Sequence, residues 1–164
     1  MSVITVSEVK DLLNITTTAD DGAVVDVITR AEAALAGKVG RLEPTVVVEW
    51  LPSDGGAVTL TSLPVLSLTA VSGAWAVDMA TLTLRRGGVV TGLPAGDWSV
   101  TYQAGRTVCP PDLQEAALLL AKHMWEPRRG PNRGTPSTPP PGSAHTWPIR
   151  VLELIEPHLL PGFA

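Results

Sequence analysis

Residues 101–127, TYQAGRTVCPPDLQEAALLLAKHMWEP, contain the change of period on which the fold turns. Up to Tyr102, apolar and polar residues alternate. Trp98, Val100 and Tyr102 interleave with Asp97, Ser99 and Thr101, the two-residue period of a strand with one face covered. From Leu113 the apolar positions are Leu113, Ala116, Ala117, Leu120 and Met124, spaced three and four apart like one stripe of a helix. Between the two patterns stand Gly105 and Cys109-Pro110-Pro111-Asp112. Proline lacks an amide hydrogen and clashes inside a helix but fits its first turn, and Asp112 there places negative charge beside unpaired N–H groups. The spacing predicts a strand ending near 104 and a long helix over 112–125, closed before Pro127.

Upstream of this boundary the two-residue period continues back to Pro44. Val46, Val48 and Trp50 alternate with Thr45, Val47 and Glu49; Val58 and Leu60 with Thr59 and Thr61; Leu82 and Leu84 with Thr81 and Thr83. Ser53-Asp54-Gly55-Gly56, Arg86-Gly87-Gly88 and Pro94-Ala95-Gly96 fall between these runs as turn residues do. Residues 44–104 therefore read as an inserted antiparallel β-domain, folded as a small sandwich or partial barrel. Before Pro44 the helical period returns. Thr5-Val6-Ser7-Glu8 has the form of a capping box opening a helix over 6–13, and Val24, Val27, Ile28, Ala31 and Leu35 mark a second helix ending at Gly37 or Gly40.

Downstream of Pro127 the chain changes character. RRGPNRGTPSTPPPGSAHTWP, residues 128–148, holds much of the Pro and Gly of the sequence, and such a composition favours an extended arm over packed structure. Ile149 to Ile155 then forms one more short helix, closed by Pro157 and by Pro161-Gly162. The expected organisation is α+β: a helical body from 1–43 and 105–126, the inserted sheet at 44–104, and an arm with a C-terminal helix at 127–164.

Composition removes several function classes. A chain of 164 residues fits one domain with an insertion, and 12 basic against 16 acidic residues give a net charge of −4, unsuited to holding nucleic acid by phosphate neutralisation. The one cysteine, Cys109, permits no internal disulfide, and no run approaches the ~20 apolar residues of a membrane span. The N-terminus lacks a basic segment followed by an apolar run, so no export signal is expected.

Catalytic constellations are sparse. His123 and Glu126 share a helix face, a spacing that could serve a hydrolase, but no third partner accompanies them. His145 and His158 have no site-forming neighbours, and the glycine pairs lack the Lys-Ser/Thr of a phosphate loop. No catalytic, cofactor or metal site is expected. Arg128, Arg129 and Arg133 form one basic cluster, suited to an acidic partner surface or to DNA, or else to a helix C-terminus and a solvated loop. The terminal segment carries the stronger signal. Trp147, Ile149, Leu152, Ile155, Leu159 and Leu160 form an apolar set beyond a segment poor in packing residues; the helix either folds back or anchors in another chain's groove.

Taken in order, these motifs resemble the head-to-tail connector, or adaptor, proteins of long-tailed bacteriophages. Tyr102-Gln103-Ala104-Gly105, then Val108-Cys109-Pro110-Pro111-Asp112-Leu113-Gln114-Glu115-Ala116, and the run from Leu118 to Glu126 with Arg128 are similar to that family's signature. Ala23 to Leu35 followed by Gly40-Arg41 resembles its second helix. Leu63-Pro64-Val65-Leu66-Ser67-Leu68 with Thr69 and Val71 resembles its first inserted strands, and Ile155-Glu156-Pro157-His158 its C-terminal end. Cys109 stands where relatives carry a small or apolar residue, and the arm at 127–148 is longer than the family pattern.

The resemblance implies a structural virion protein without enzymatic activity or cofactor, located in the neck after assembly in the host cytoplasm. It implies a homo-oligomeric ring, dodecameric in relatives, between the portal protein and a stopper or tail-completion protein. DNA would cross its lumen without specific binding, and the tail would reach along the portal. A DNA-binding or DNA-packaging factor using the first helices and Arg128, Arg129 and Arg133 is the alternative.

Overall fold

The computed structural model describes residues 2–74, 76–85, 87–126 and 147–160. Two compact units result, one from the chain up to Val39 together with Cys109–Leu159, the other from Gly40–Val108.

The first unit is helical. Helix α1, Val6–Leu13, opens on the expected capping box: the Thr5 hydroxyl accepts from the Glu8 N–H, and the Glu8 carboxylate accepts from the Thr5 N–H at 2.6 Å. It ends at Asn14 in the left-handed conformation, φ 53°. Helix α2, Asp21–Val39, buries Val24, Val27, Ile28, Ala31 and Leu35, the stripe read from the sequence, together with Val39. Helix α3, Pro111–Trp125, begins with proline in its first turn and buries Leu113, Ala116, Ala117, Leu120, Ala121 and Trp125. Helix α4, Ile149–Ile155, packs on α3 and contributes Val151, Leu154 and Ile155 to the same core. A single 3-10 turn, Glu156–His158, follows it. Helices α1 and α2 also contact α3, so α3 is the central element of this unit. Upstream of α1 the Glu32 carboxylate of α2 accepts from the N–H groups of Val3 and Ile4 at 2.7 and 3.2 Å, holding the leading strand of chain down.

The second unit consists of two three-stranded antiparallel sheets. One has the order β1-β6-β3, with β1 Thr45–Asp54, β3 Val65–Gly73 and β6 Ala95–Ala104. The other has the order β2-β5-β4, with β2 Ala57–Thr59, β4 Thr83–Arg85 and β5 Val89–Thr91. Trp98, Val100 and Tyr102 of the central strand β6 are buried, as their alternation requires, and meet Val58, Leu60, Val90 and Leu93. The Trp98 indole N–H donates to the Pro94 carbonyl at 2.8 Å, which satisfies its one polar atom inside the core. A side chain on Gly73, paired with Trp98 across β3 and β6, would come within 2.5 Å of the indole ring. Glycine there is a packing requirement.

Register fixes which face of β1 turns inward. Val47, Glu49 and Leu51 pair with Tyr102, Val100 and Trp98, and therefore share their side of the sheet. Val46, Val48 and Trp50 pair with Gln103, Thr101 and Ser99 on the opposite side, and they are exposed. The glutamate on the inner side is accommodated by hydrogen bonds: its carboxylate accepts from the Tyr102 hydroxyl at 2.7 Å, from the Thr61 N–H at 3.1 Å and from the Thr61 hydroxyl.

Candidate assembly surfaces

Helix α4 settles one of the two alternatives left by the sequence. It folds back. Ile155, counted with the partner anchors on its hydrophobicity, is 1% exposed and belongs to the core shared with α3, so its side chain serves folding. The physical reason is the helical period: Val151, Leu154 and Ile155 lie on one side of α4 and take the inward face. Ile149 and Leu152, three residues apart on the other side, are left 77% and 43% exposed.

The ends of α4 are held by different interactions. Trp147 is half-buried, with the Lys38 ammonium 5.4 Å from its ring centre, a cation–π contact that ties the start of α4 to the end of α2. Arg150 lies 3.2 Å from Glu153 and 3.9 Å from Glu115 of α3; these pairs are exposed and contribute little. In the turn after α4, the His158 Nε2 is 3.8 Å from the Asp112 carboxylate at the start of α3. Leu159 and Leu160 are half-buried. The outcome is a short helix seated on its inner face, with two aliphatic side chains turned outward.

Arg128, Arg129 and Arg133 lie outside the described residues, as do His145 and the proline run 139–141. His123 is half-buried on α3 and Glu126 is exposed just past its end; among the described residues no group of three His, Cys, Asp or Glu side chains could hold a metal ion. Cys109 is half-buried before α3. Among the described residues no helix is long and apolar enough to cross a membrane.

The chain thus runs through two N-terminal helices, an inserted antiparallel β-unit, a long helix opening on Pro-Pro-Asp and a C-terminal helix returning to it. The family described as Phage gp6-like head-tail connector protein matches residues 3–135. The chain belongs to the phage head-tail connector family. No match is found among curated proteins. Among solved structures, the connector is similar to a chain in the neck of an empty GTA particle computed with C6 symmetry. That likeness has 24% identity and a TM-score of 0.68, covering 96% of this chain and 89% of the other. It is also similar to a chain in the neck of a native GTA particle computed with C12 symmetry. There the identity is 23% and the TM-score 0.65, with 94% and 87% covered. The family places the chain among the structural proteins of the head-tail junction.

One surface of the connector escaped the sequence reading. The alternation of Val46, Val48 and Trp50 placed them on one side of β1, but Val47 and Leu51 on the other side are equally apolar, so composition gave no sign of which side faces the core. The deciding signal is long-range. Glu49 finds its donors in Tyr102 and Thr61, residues distant in the chain, and that pairing sets the inward side.

Proposed function

We propose that the connector assembles as a closed ring of twelve copies between the portal protein and the stopper or tail-completion protein of a tailed-phage neck, and that DNA crosses its lumen. The observation that carries this reading is the return of α4 onto α3 with Ile149 and Leu152 left outward. A folded, preorganised pair of aliphatic anchors costs less ordering entropy on docking than a free tail. Trp147 before the pair and Leu159 and Leu160 after it in the sequence are assigned to the same partner contact, as are Arg128, Arg129 and Arg133. The likeness to neck chains solved with sixfold and twelvefold symmetry supports a cyclic array. The net charge of −4 supports a lumen that does not grip phosphates.

Because Val151, Leu154 and Ile155 are core residues, removing the C-terminal segment would damage the fold together with the docking surface. The test therefore uses the double variant Ile149→Ser/Leu152→Ser in the full chain. Purified portal rings are mixed with wild type or variant and viewed by electron microscopy. Wild type adds a layer to the ring, whereas the variant, with an unchanged unfolding transition, leaves it bare. A variant that decorates the portal as wild type does would overturn the assignment.

A further inference from the structure

The side of β1 that carries Val46, Val48 and Trp50 is unlike the surface of a strand that ends in water. These side chains are 65%, 58% and 73% exposed, and they stand in register with Gln103, Thr101 and Ser99 of β6. Strand β3 continues the same side with serine and alanine, Ser67, Ala70 and Ser72. Between the Val46–Gln103 and Trp50–Ser99 pairs, none of the positions that the three strands give to this side is ionisable. The apolar side chains line the edge strand β1, the neutral polar ones stand beside them on β6 and β3, and the next row on this side, Pro52 opposite Asp97, brings the first charge; the uncharged stretch, with a Trp among its apolar side chains, has the composition of the core of a protein–protein contact.

Strand β1 is moreover an edge strand, hydrogen-bonded on one side to β6 and ten residues long. Edge strands are ordinarily shortened, charged or bulged to prevent association. Strand β3, the opposite edge, is interrupted by register shifts at Val65/Ser67 and Leu68/Ala70. Strand β1 pairs with β6 without a shift from Thr45 to Asp54, and the side chains it exposes near its middle are apolar. Strand β1 thus keeps a regular edge along Thr45–Leu51, with Pro52 near its end and the charged Glu49 turned inward, whereas β3 is bulged.

We infer that the Val46–Val48–Trp50 side of β1 is covered by a second copy of this chain, the neighbouring subunit of the ring. The inference rests on the ring reading above and adds the surface through which copies meet. Charge selects this occupant. Each copy carries a net charge of −4, so identical chains brought side by side repel, and the surface where they can meet with least cost is one without ionisable groups. A partner of different sequence could be matched by opposite charge; a second copy of the same acidic chain gains most from a neutral apolar contact. An end-on contact between different surfaces of successive copies is what a cyclic array requires.

The test measures self-association of the full chain by sedimentation velocity over a concentration series, without portal. Wild type self-associates. Trp50→Ser and Val48→Thr, each with an unchanged unfolding transition, associate more weakly, by about thirtyfold for Trp50→Ser, the loss expected on truncating a buried aromatic anchor. The Ile149→Ser/Leu152→Ser variant associates as wild type does. Two results would overturn the inference: wild type that stays monomeric throughout the series, or Trp50→Ser that associates with wild-type strength. Failure of the portal assignment is seen separately, as bare or decorated portal rings with the α4 variant, so the two outcomes are independent.

Discussion

The Tyr102 hydroxyl donates a 2.7 Å hydrogen bond to the Glu49 carboxylate and accepts one of 3.0 Å from the Ser62 N–H. One phenol thus joins β6, β1 and the segment after β2. Burial alone would raise the Glu49 carboxyl, but the hydrogen bonds from Thr61 and Tyr102 outweigh it and hold the group below the usual carboxylate range. Burial, reinforced by the neighbouring Glu49, pushes the Tyr102 phenol up.

Tyr102→Phe removes a hydrogen bond to a charged group and leaves the Ser62 N–H without its acceptor. The expected cost is about 1.5–3 kcal/mol, measured by urea unfolding. The Glu49 shift has a definite sign. Its folded-state pKa is depressed, so the unfolded chain binds the proton more readily, and the contribution to stability is full above the ordinary carboxylate range. It is lost as pH falls through the folded-state pKa. Stability of wild type should therefore decline more steeply below about pH 4.5 than that of Glu49→Gln; parallel pH curves would show that the carboxylate is not the titrating group.

Two glycine substitutions should have opposite signs. Gly105 has φ +120°, and a Cβ there would collide with the Glu43 carbonyl, a backbone atom that cannot turn aside. Gly105→Ala should prevent the β-unit from folding stably. Gly37 lies in α2, has no positive φ, and its added Cβ meets nothing within 4 Å. Gly37→Ala should stabilise by about 0.5–1 kcal/mol through the restricted unfolded chain and better helix propensity. Thermal unfolding followed by circular dichroism separates the two, and an unaffected Gly105→Ala would show that the Glu43 segment can move.

Most of the helical unit was legible because its determinants are local. The capping box at Thr5, the apolar stripe from Val24 to Leu35 and the proline entry of α3 each lie within a few residues of what they fix, and their helices appear where the spacing put them. The β-unit was legible as strands of a small sandwich or partial barrel, while which strands share a sheet was not. That choice depends on β1 pairing with β6 across most of the unit's length, a long-range pairing that no local pattern encodes. The same limit hid the orientation of β1. At the C-terminus the helix Ile149–Ile155 was local and readable; whether it met its own chain or another depended on its packing against α3, far off in the sequence.

Thr5→Ala tests the local determinants directly. The hydroxyl accepts from the Glu8 N–H at 3.2 Å and donates to the Glu8 carboxylate at 2.7 Å, so alanine deletes the side-chain half of the box and leaves the Thr5 N–H bond to Glu8 in place. A loss of about 1 kcal/mol is expected in chemical unfolding. Because Val9 and Leu13 of α1 are buried, the helix itself should persist, and a loss several times larger would mean that the cap also governs how α1 seats on its neighbours.

Ile155→Ala separates folding from docking at α4. The side chain is buried among the helices, so truncation removes apolar contacts and opens a cavity, at an expected cost of about 2–4 kcal/mol. Helix α4 has only seven residues, too few to persist without its packed face, so in the loosened state Ile149 and Leu152 should sit on a frayed segment and lose their fixed spacing. Portal decoration should then weaken in step with the lost stability and recover at lower temperature or on restoring volume with Ile155→Leu. The Ile149→Ser/Leu152→Ser variant should show neither the stability loss nor the temperature recovery. Identical temperature profiles for the two variants would mean that α4 docks by melting from its own core, and that its inward face, Ile155 included, is what the partner binds.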